Sequence, residues 1–235
     1  MVHESPNSKP LLIFTFMAES TKKICLVTVL LFLSISRVFH NVTATAVVED
    51  DIRCLHGLKD SLTDRNGNLN SWNFLNYSMG FICKFAGVDC WNDRENRVIS
   101  LALPGMDLCG ELPDALKYCS SLQTLDLSGN RFIGPIPLEI CNWMPFLVTL
   151  DLSNNSFSGS IPAELGNCTY LNKLMLNNNK LSGNIPPEIS SLTRLKVLSL
   201  ANNNLSGIIP LFSGLSNFEF GGNRYLCGGP LAKCG

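Results

Sequence analysis

Leucines alternate with other residues at five places along the chain: Leu101-x-Leu103, Leu125-x-Leu127, Leu150-x-Leu152, Leu174-x-Leu176 and Leu198-x-Leu200. Successive side chains of a strand point to opposite faces, so each leucine pair enters a core while the intervening residue faces outward. The first leucines recur at intervals of 24, 25, 24 and 24 residues. One wording follows each of them, Leu-x-Leu-x-x-Asn-x-Leu/Phe-x-Gly-x-Ile-Pro, seen best in Leu125–Pro137, Leu150–Pro162 and Leu174–Pro186. Ahead of the repeats a helical pattern places Ile52, Leu55, Leu58 and Leu62 on one face, with Asp50 or Asp51 as its predicted N-cap.

A period of this length marks leucine-rich repeats. The predicted fold is an α/β repeat solenoid, a horseshoe with a short parallel concave sheet, a helical N-cap and disulfide caps at both ends. A repeat cannot bury its own apolar face, so the ends need caps. The expected order is a leader over 1–46, an N-terminal cap over 47–97, five repeats over 98–214 and a C-terminal cap over 215–235. In that cap Leu215, Phe218, Phe220 and Asn223 mimic a strand. Outward residues of the strands form the expected partner-binding face: Thr124, Asp126, Thr149, Asp151, Lys173, Met175, Asn177, Val197 and Ser199. Asn130, Asn155, Asn179 and Asn203 sit three residues after the second leucine, where an amide bonds the backbone of its own turn and its neighbour's. Met106 takes this place in the first repeat, so the asparagine ladder is expected to start at Asn130.

Lys and Arg total 18 against 19 Asp and Glu, and so balanced a charge argues against nucleic acid as partner. The run Ile24–Ser36 follows Lys22 and Lys23 and precedes Ala44-Thr-Ala46, which predicts a signal peptide cleaved after Ala46 and delivery to the secretory pathway, extracellular or on the plasma-membrane exterior. An uncleaved signal anchor is the alternative, and residues 1–16 read as an extension ahead of a start at Met17.

Ten cysteines include Cys25 in the leader, so nine stay in the mature chain and at least one lacks a partner within it. Cys83 with Cys90 and Cys227 with Cys234 are the expected end disulfides. Cys119 and Cys168 share a column with Trp143 and Leu192 and read as buried thiols; Cys54, Cys109 and Cys141 are unassigned, with a bond from Cys54 to another N-terminal cysteine left open. Sequons at Asn76, Asn154, Asn167 and Asn204 are candidate glycan sites. No catalytic constellation stands out. Of three histidines only His56 follows the leader, and Asp126 and Asp151 recur because the repeat places them. No metal or small-molecule cofactor is expected.

Leu181-Ser-Gly-Asn-Ile-Pro186 and Leu205-Ser-Gly-Ile-Ile-Pro210 resemble the plant-specific class of leucine-rich repeats, and Leu69-Asn-Ser-Trp72 with Cys83–Cys90 resembles the N-terminal cap of plant receptor kinases. Within that class, Glu49–Lys59, Cys90–Ile99 and Ile140–Leu152 are similar to the inactive, pseudokinase-type receptors that bind SERK co-receptors. The one-residue insertion behind the 25-residue interval falls in the last of these, at Cys141–Phe146. The resemblance covers roughly residues 49 to 235. It implies a non-catalytic ectodomain that binds a co-receptor ectodomain and regulates growth and immune signalling. The alternatives are a secreted inhibitor of a cell-wall hydrolase and a soluble decoy. Membrane attachment is expected only through a C-terminal anchor missing from this chain or an uncleaved leader.

Overall fold

The structure is a computed structural model and describes residues 49–75, 80–92, 94–231 and 233–234. The expected leader and the Asn76 sequon lie outside the described residues.

Residues 49–61 form the capping helix, whose Leu55 and Leu58 are fully buried. The expectation that Asp50 or Asp51 caps it is corrected: both lie within the helix, and Asp51 reaches across to accept the Val98 N–H at 3.2 Å. Trp72 anchors the rest of the cap, 1% exposed, with its indole N–H on the Ala86 carbonyl. The cap's own strand, Val88–Cys90, pairs antiparallel with Val98–Ala102. From there the sheet is parallel through Thr124–Asp126, Thr149–Asp151, Lys173–Met175, Val197–Ser199 and Asn217–Glu219. The register stacks Leu101, Leu125, Leu150, Leu174, Leu198 and Phe218 as successive partners, and the five leucines have no exposed surface. Phe218 ends the row, on the outermost strand of the sheet among the described residues, and is 45% exposed.

The Gly-x-Ile-Pro segments carry the chain to the other side. Ile136, Ile161, Ile185 and Ile209 are buried, and Ser158–Ser160, Lys180–Asn184, Asn204–Ile208 and Tyr225–Cys227 pair as a second parallel sheet. Short turns of helix close three repeats as 3-10 helices, at Asp114–Tyr118, Ala163–Asn167 and Pro187–Ser191. The 25-residue interval differs for a physical reason. Its extra residue turns the 3-10 turn into an α-helical one, Ile140–Trp143, with Met144 N–H bonding Ile140 O where Cys119 N–H bonds Leu116 O.

That shift also corrects the cysteine reading. Met144, not Trp143, fills the buried column of Cys119, Cys168 and Leu192, and Cys141 is carried against Cys168. Cys119 and Cys168 are therefore not thiols. Cys54 joins Cys119 across 65 residues, and Cys141 joins Cys168 across 27. Cys83–Cys90 and Cys227–Cys234 close the short loops at the two ends, and Cys109 is a free thiol.

The asparagine ladder shows why a polar residue recurs inside a leucine stack. Each amide donates to two or more carbonyls of its own and the preceding repeat: Asn155 Nδ2 reaches Leu127 O at 2.9 Å and Leu152 O at 3.2 Å. Its Oδ1 accepts the Phe132 N–H. Asn130, Asn179 and Asn203 repeat the scheme, and Asn223 adds a rung in the C-terminal cap, donating to Leu200 O and Phe220 O. One residue upstream of each rung the backbone is left-handed. Gly129 and Gly222 hold this place at φ 67° and 75°, Asn154, Asn178 and Asn202 hold it at 55–56°, and Gly105 holds the matching place ahead of Met106 at 66°. These three asparagines form a second, outer ladder: Asn202 Nδ2 donates to Asn178 Oδ1 at 2.7 Å, and Asn178 Nδ2 to Asn154 Oδ1 at 2.8 Å. Asparagine tolerates the left-handed region better than other non-glycine residues.

Candidate protein-binding surface

The strand register brings the outward residues into two rows on one face of the long sheet. Thr124, Thr149, Lys173, Val197 and Asn217 form one row; Asp126, Asp151, Met175, Ser199 and Glu219 form the other. Asn177 lies two residues beyond Met175, partly exposed. The rows are not equally open. Asp151 is 7% exposed and Ser199 2%, because neighbours already engage them. Asp151 accepts the Ser153 hydroxyl at 2.6 Å and pairs with Lys173 Nζ at 3.1 Å, while Ser199 Oγ donates to Glu219 at 3.0 Å. Asp126 Oδ1 accepts the Ser128 N–H, a local turn bond. Asp151 and Ser199, expected on the partner-binding face, are thus corrected to buried positions. Thr124, Asp126, Thr149, Lys173, Met175 and Val197 keep partial exposure, and Asp151 and Ser199 serve the sheet's own network.

A second surface runs along the flank of the same strands. Phe146, Tyr170 and Arg194 each stand three residues before a strand, and each precedes a buried leucine, Leu147, Leu171 or Leu195. The leucine pins the backbone in the core and turns the preceding side chain to solvent. Stacking of the repeats then superposes the three. The Phe146 and Tyr170 ring centroids are 6.0 Å apart, and the Arg194 guanidinium lies 5.0 Å from the Tyr170 ring centre. Phe146 is 51% exposed and Tyr170 41%. Aromatics and arginine dominate the energetics of protein interfaces, since they bury much apolar area at little entropic cost. Strand alternation could not reveal this row, because it lies in the loops. The signal was the column itself, read three residues ahead of each strand.

The remaining candidates stand apart. Asn154, Asn167 and Asn204 are exposed, with Asn154 tied into the outer ladder through its Oδ1. His56 is exposed, with its Nδ1 2.8 Å from an Asp60 carboxylate oxygen and its ring packed on Phe74. At the C-terminal end an apolar hollow of about 190 Å³ is lined by Ile209, Leu211, Phe212, Leu215, Phe218 and Phe220, none of which can act as acid, base or nucleophile. Among the described residues no group of three or more His, Cys, Asp or Glu converges, and no helix is long and apolar enough to cross a membrane.

Comparison with known proteins places these features. The family described as "Leucine rich repeat N-terminal domain" matches residues 48–91, and "Leucine Rich Repeat" matches 121–143, 146–168, 170–192 and 194–215. The chain is 65% identical over 127 residues, 54% of its length, to the inactive LRR receptor-like serine/threonine-protein kinase BIR2 of Arabidopsis thaliana. It is 63% identical over 193 residues, 82% of its length, to a probable inactive receptor kinase of the same plant. The matches span 21% and 32% of those relatives' own lengths, so the chain corresponds to a minor part of each. The crystal structure of the BIR2 ectodomain superposes with a TM-score of 0.77 at 57% identity, covering 78% of this chain and 98% of that one. A crystal structure of the BIR3–SERK2 complex, also from Arabidopsis thaliana, matches with a TM-score of 0.74 at 55% identity, covering 79% of this chain and 99% of the matched one.

Proposed function

The chain belongs to the family of plant leucine-rich-repeat receptor-like kinases that includes the inactive receptor BIR2, and from that premise we propose that it binds a SERK-type co-receptor ectodomain without catalysing a reaction. Supporting the reading is the match to a BIR3 ectodomain solved as a complex with SERK2. The structural observation that carries it is the exposed Phe146–Tyr170–Arg194 row beside a sheet of small and polar side chains. The proposed contact runs from this row onto Thr149, Lys173 and Val197, the nearest open positions of the sheet. Thr124, Asp126, Met175 and Asn177 lie further in and serve as its periphery. By occupying the co-receptor, such a domain holds it away from ligand-bound receptors in growth and immune signalling.

Surface plasmon resonance of this ectodomain against a SERK ectodomain at mildly acidic pH tests the partner. Absence of binding at tens of micromolar, roughly −6 kcal/mol of association, defeats it. Phe146→Ala with Tyr170→Ala is expected to weaken the complex by about 2 kcal/mol or more, some thirtyfold, since hot-spot aromatics carry losses of that size. Retained affinity in the double variant, with loss on Thr124→Arg or Met175→Arg, relocates the contact to the sheet. Inhibition of a cell-wall polygalacturonase by the isolated chain would favour the second reading, a hydrolase inhibitor.

A further inference from the structure

The joint between the capping helix and the long sheet holds two buried acceptors that lack a donor. Asp51 is 2% exposed; its Oδ2 accepts the Val98 N–H at 3.2 Å and its Oδ1 has no partner among the described residues. Asn96 is 6% exposed, stands two residues before that same Val98, and also has a buried side-chain oxygen without a donor. Buried polar groups are nearly always paired, and orphaned acceptors are costly. A proton on Asp51 Oδ1 would turn one of these acceptors into a donor, and the bond to Val98 N–H holds that carboxyl two residues along the strand entry from Asn96.

We propose that Asp51 is held neutral in the folded cap and that its Oδ1–H bonds the Asn96 side-chain oxygen, making the helix-to-sheet joint a proton-dependent lock. Burial is the dominant influence on this carboxyl and pushes it up to about 7, against the opposing pull of the Val98 N–H and the Arg97 charge; Asp50 adds a small push upward. The other charges around the joint are engaged with one another. Asp50 pairs with Arg53 and Arg97 with Glu95, and on the 3-10 turn tied to the helix by Cys54–Cys119, Asp114 pairs with Lys117. Arg97, the cation that acts on Asp51, is thus itself paired with a carboxylate.

A carboxyl raised in the folded state above its ordinary 3.8 contributes stability that is complete below that value and is lost as pH rises through about 7. The lock closes in acid and opens towards alkali. Val98 opens the strand that links the cap's own strand to the repeats, so the proton acts at the N-terminal end of the long sheet.

Carboxyl carbon NMR of the intact chain reads the group directly. Titration of Asp51 near neutrality supports the lock, and titration near pH 4 overturns it. Denaturant unfolding adds a second readout: from about pH 5 to about pH 8 the unfolding constant of the native chain is expected to rise by on the order of a hundredfold. Asp51→Asn carries a permanent N–H donor at this place, and its unfolding constant is expected to change less than about threefold over the same range. A native chain indifferent to pH, or an equal slope in the variant, refutes the proposal. If the variant does not fold, the NMR titration of the native chain decides alone.

Discussion

Replacing Cys54 and Cys119 together by alanine is expected to cost the folded domain about 4 kcal/mol, the largest loss of any of the four disulfides among the described residues. The bond spans 65 residues, and closing a longer loop removes more entropy from the unfolded chain. By the same reckoning Cys141–Cys168, across 27 residues, contributes about 3.5 kcal/mol, and each end bridge, across 7, about 2.5 kcal/mol. Packing at the site points the same way. Both sulfurs are buried without exposed surface, and Gly57, one turn along the capping helix, lies so close to Ala115 that an added Cβ would meet it at 2.6 Å. Without the bridge the helix loosens from the first repeat, and Leu55 and Leu58 become open to solvent. Guanidinium unfolding of the double variant checks the magnitude, with limited proteolysis checking that the N-terminal cap opens first. A loss no larger than that of the Cys83–Cys90 double variant would refute the ranking.

The second large effect concerns the inner ladder. Asn179→Ala is expected to destabilise by about 3 kcal/mol, because it strands several backbone groups at once and each unpaired buried group costs about 1–3 kcal/mol. Asn179 Nδ2 donates to Leu152 O at 2.9 Å and Leu176 O at 3.1 Å, and its Oδ1 accepts the Phe157 N–H at 3.0 Å. These groups face the seam between repeats, where no strand partner can replace the amide. Its sequence neighbour Asn178 is the control. It donates to Asn154 and accepts from Asn202 in the outer ladder, where water can take over, and its backbone is already left-handed at φ 56°. Asn178→Gly relieves that conformation and is expected to cost less than about 1 kcal/mol. Equal losses at the two positions in denaturant unfolding would show that the inner amide is not the seam's main polar tie.

Much of the architecture was readable because each repeat obeys a local rule. Leu-x-Leu needs one buried face, Asn130 to Asn203 need backbone partners, and the period supplies both from the neighbouring repeat. The resemblance to the plant class rested partly on the repeats themselves, Leu181–Pro186 and Leu205–Pro210, whereas the likeness to the inactive receptors rested on Glu49–Lys59, Cys90–Ile99 and Ile140–Leu152 with its insertion. What could not be read was anything that depended on register between distant segments. Asn223 was legible as part of a strand-like segment, but that its amide continues the ladder shows only when it meets Leu200 O. Cys119 and Cys168 looked like small apolar fillers of one column; whether such a thiol packs or bonds depends on which cysteine the adjacent coil brings within reach.

The candidate surface divides in the same way. Alternation along the chain determined which residues point out of the sheet, and with them the two rows from Thr124 to Val197 and from Asp126 to Ser199. It could not determine which of those remain open, because the bonds of Asp151 with Lys173 and of Ser199 with Glu219 form between strands. Nor could it assemble Phe146, Tyr170 and Arg194, which are separated in the chain and become one stacked row only when successive turns of the solenoid superpose. The sequence by itself determined the repeat, its buried leucines and its asparagine seam, since each follows from patterns within one or two periods. The tertiary structure alone decided the two long-range disulfides, Cys54–Cys119 and Cys141–Cys168, the aromatic flank and the burial of Asp51 against Val98, since each is a meeting of side chains that no single period contains.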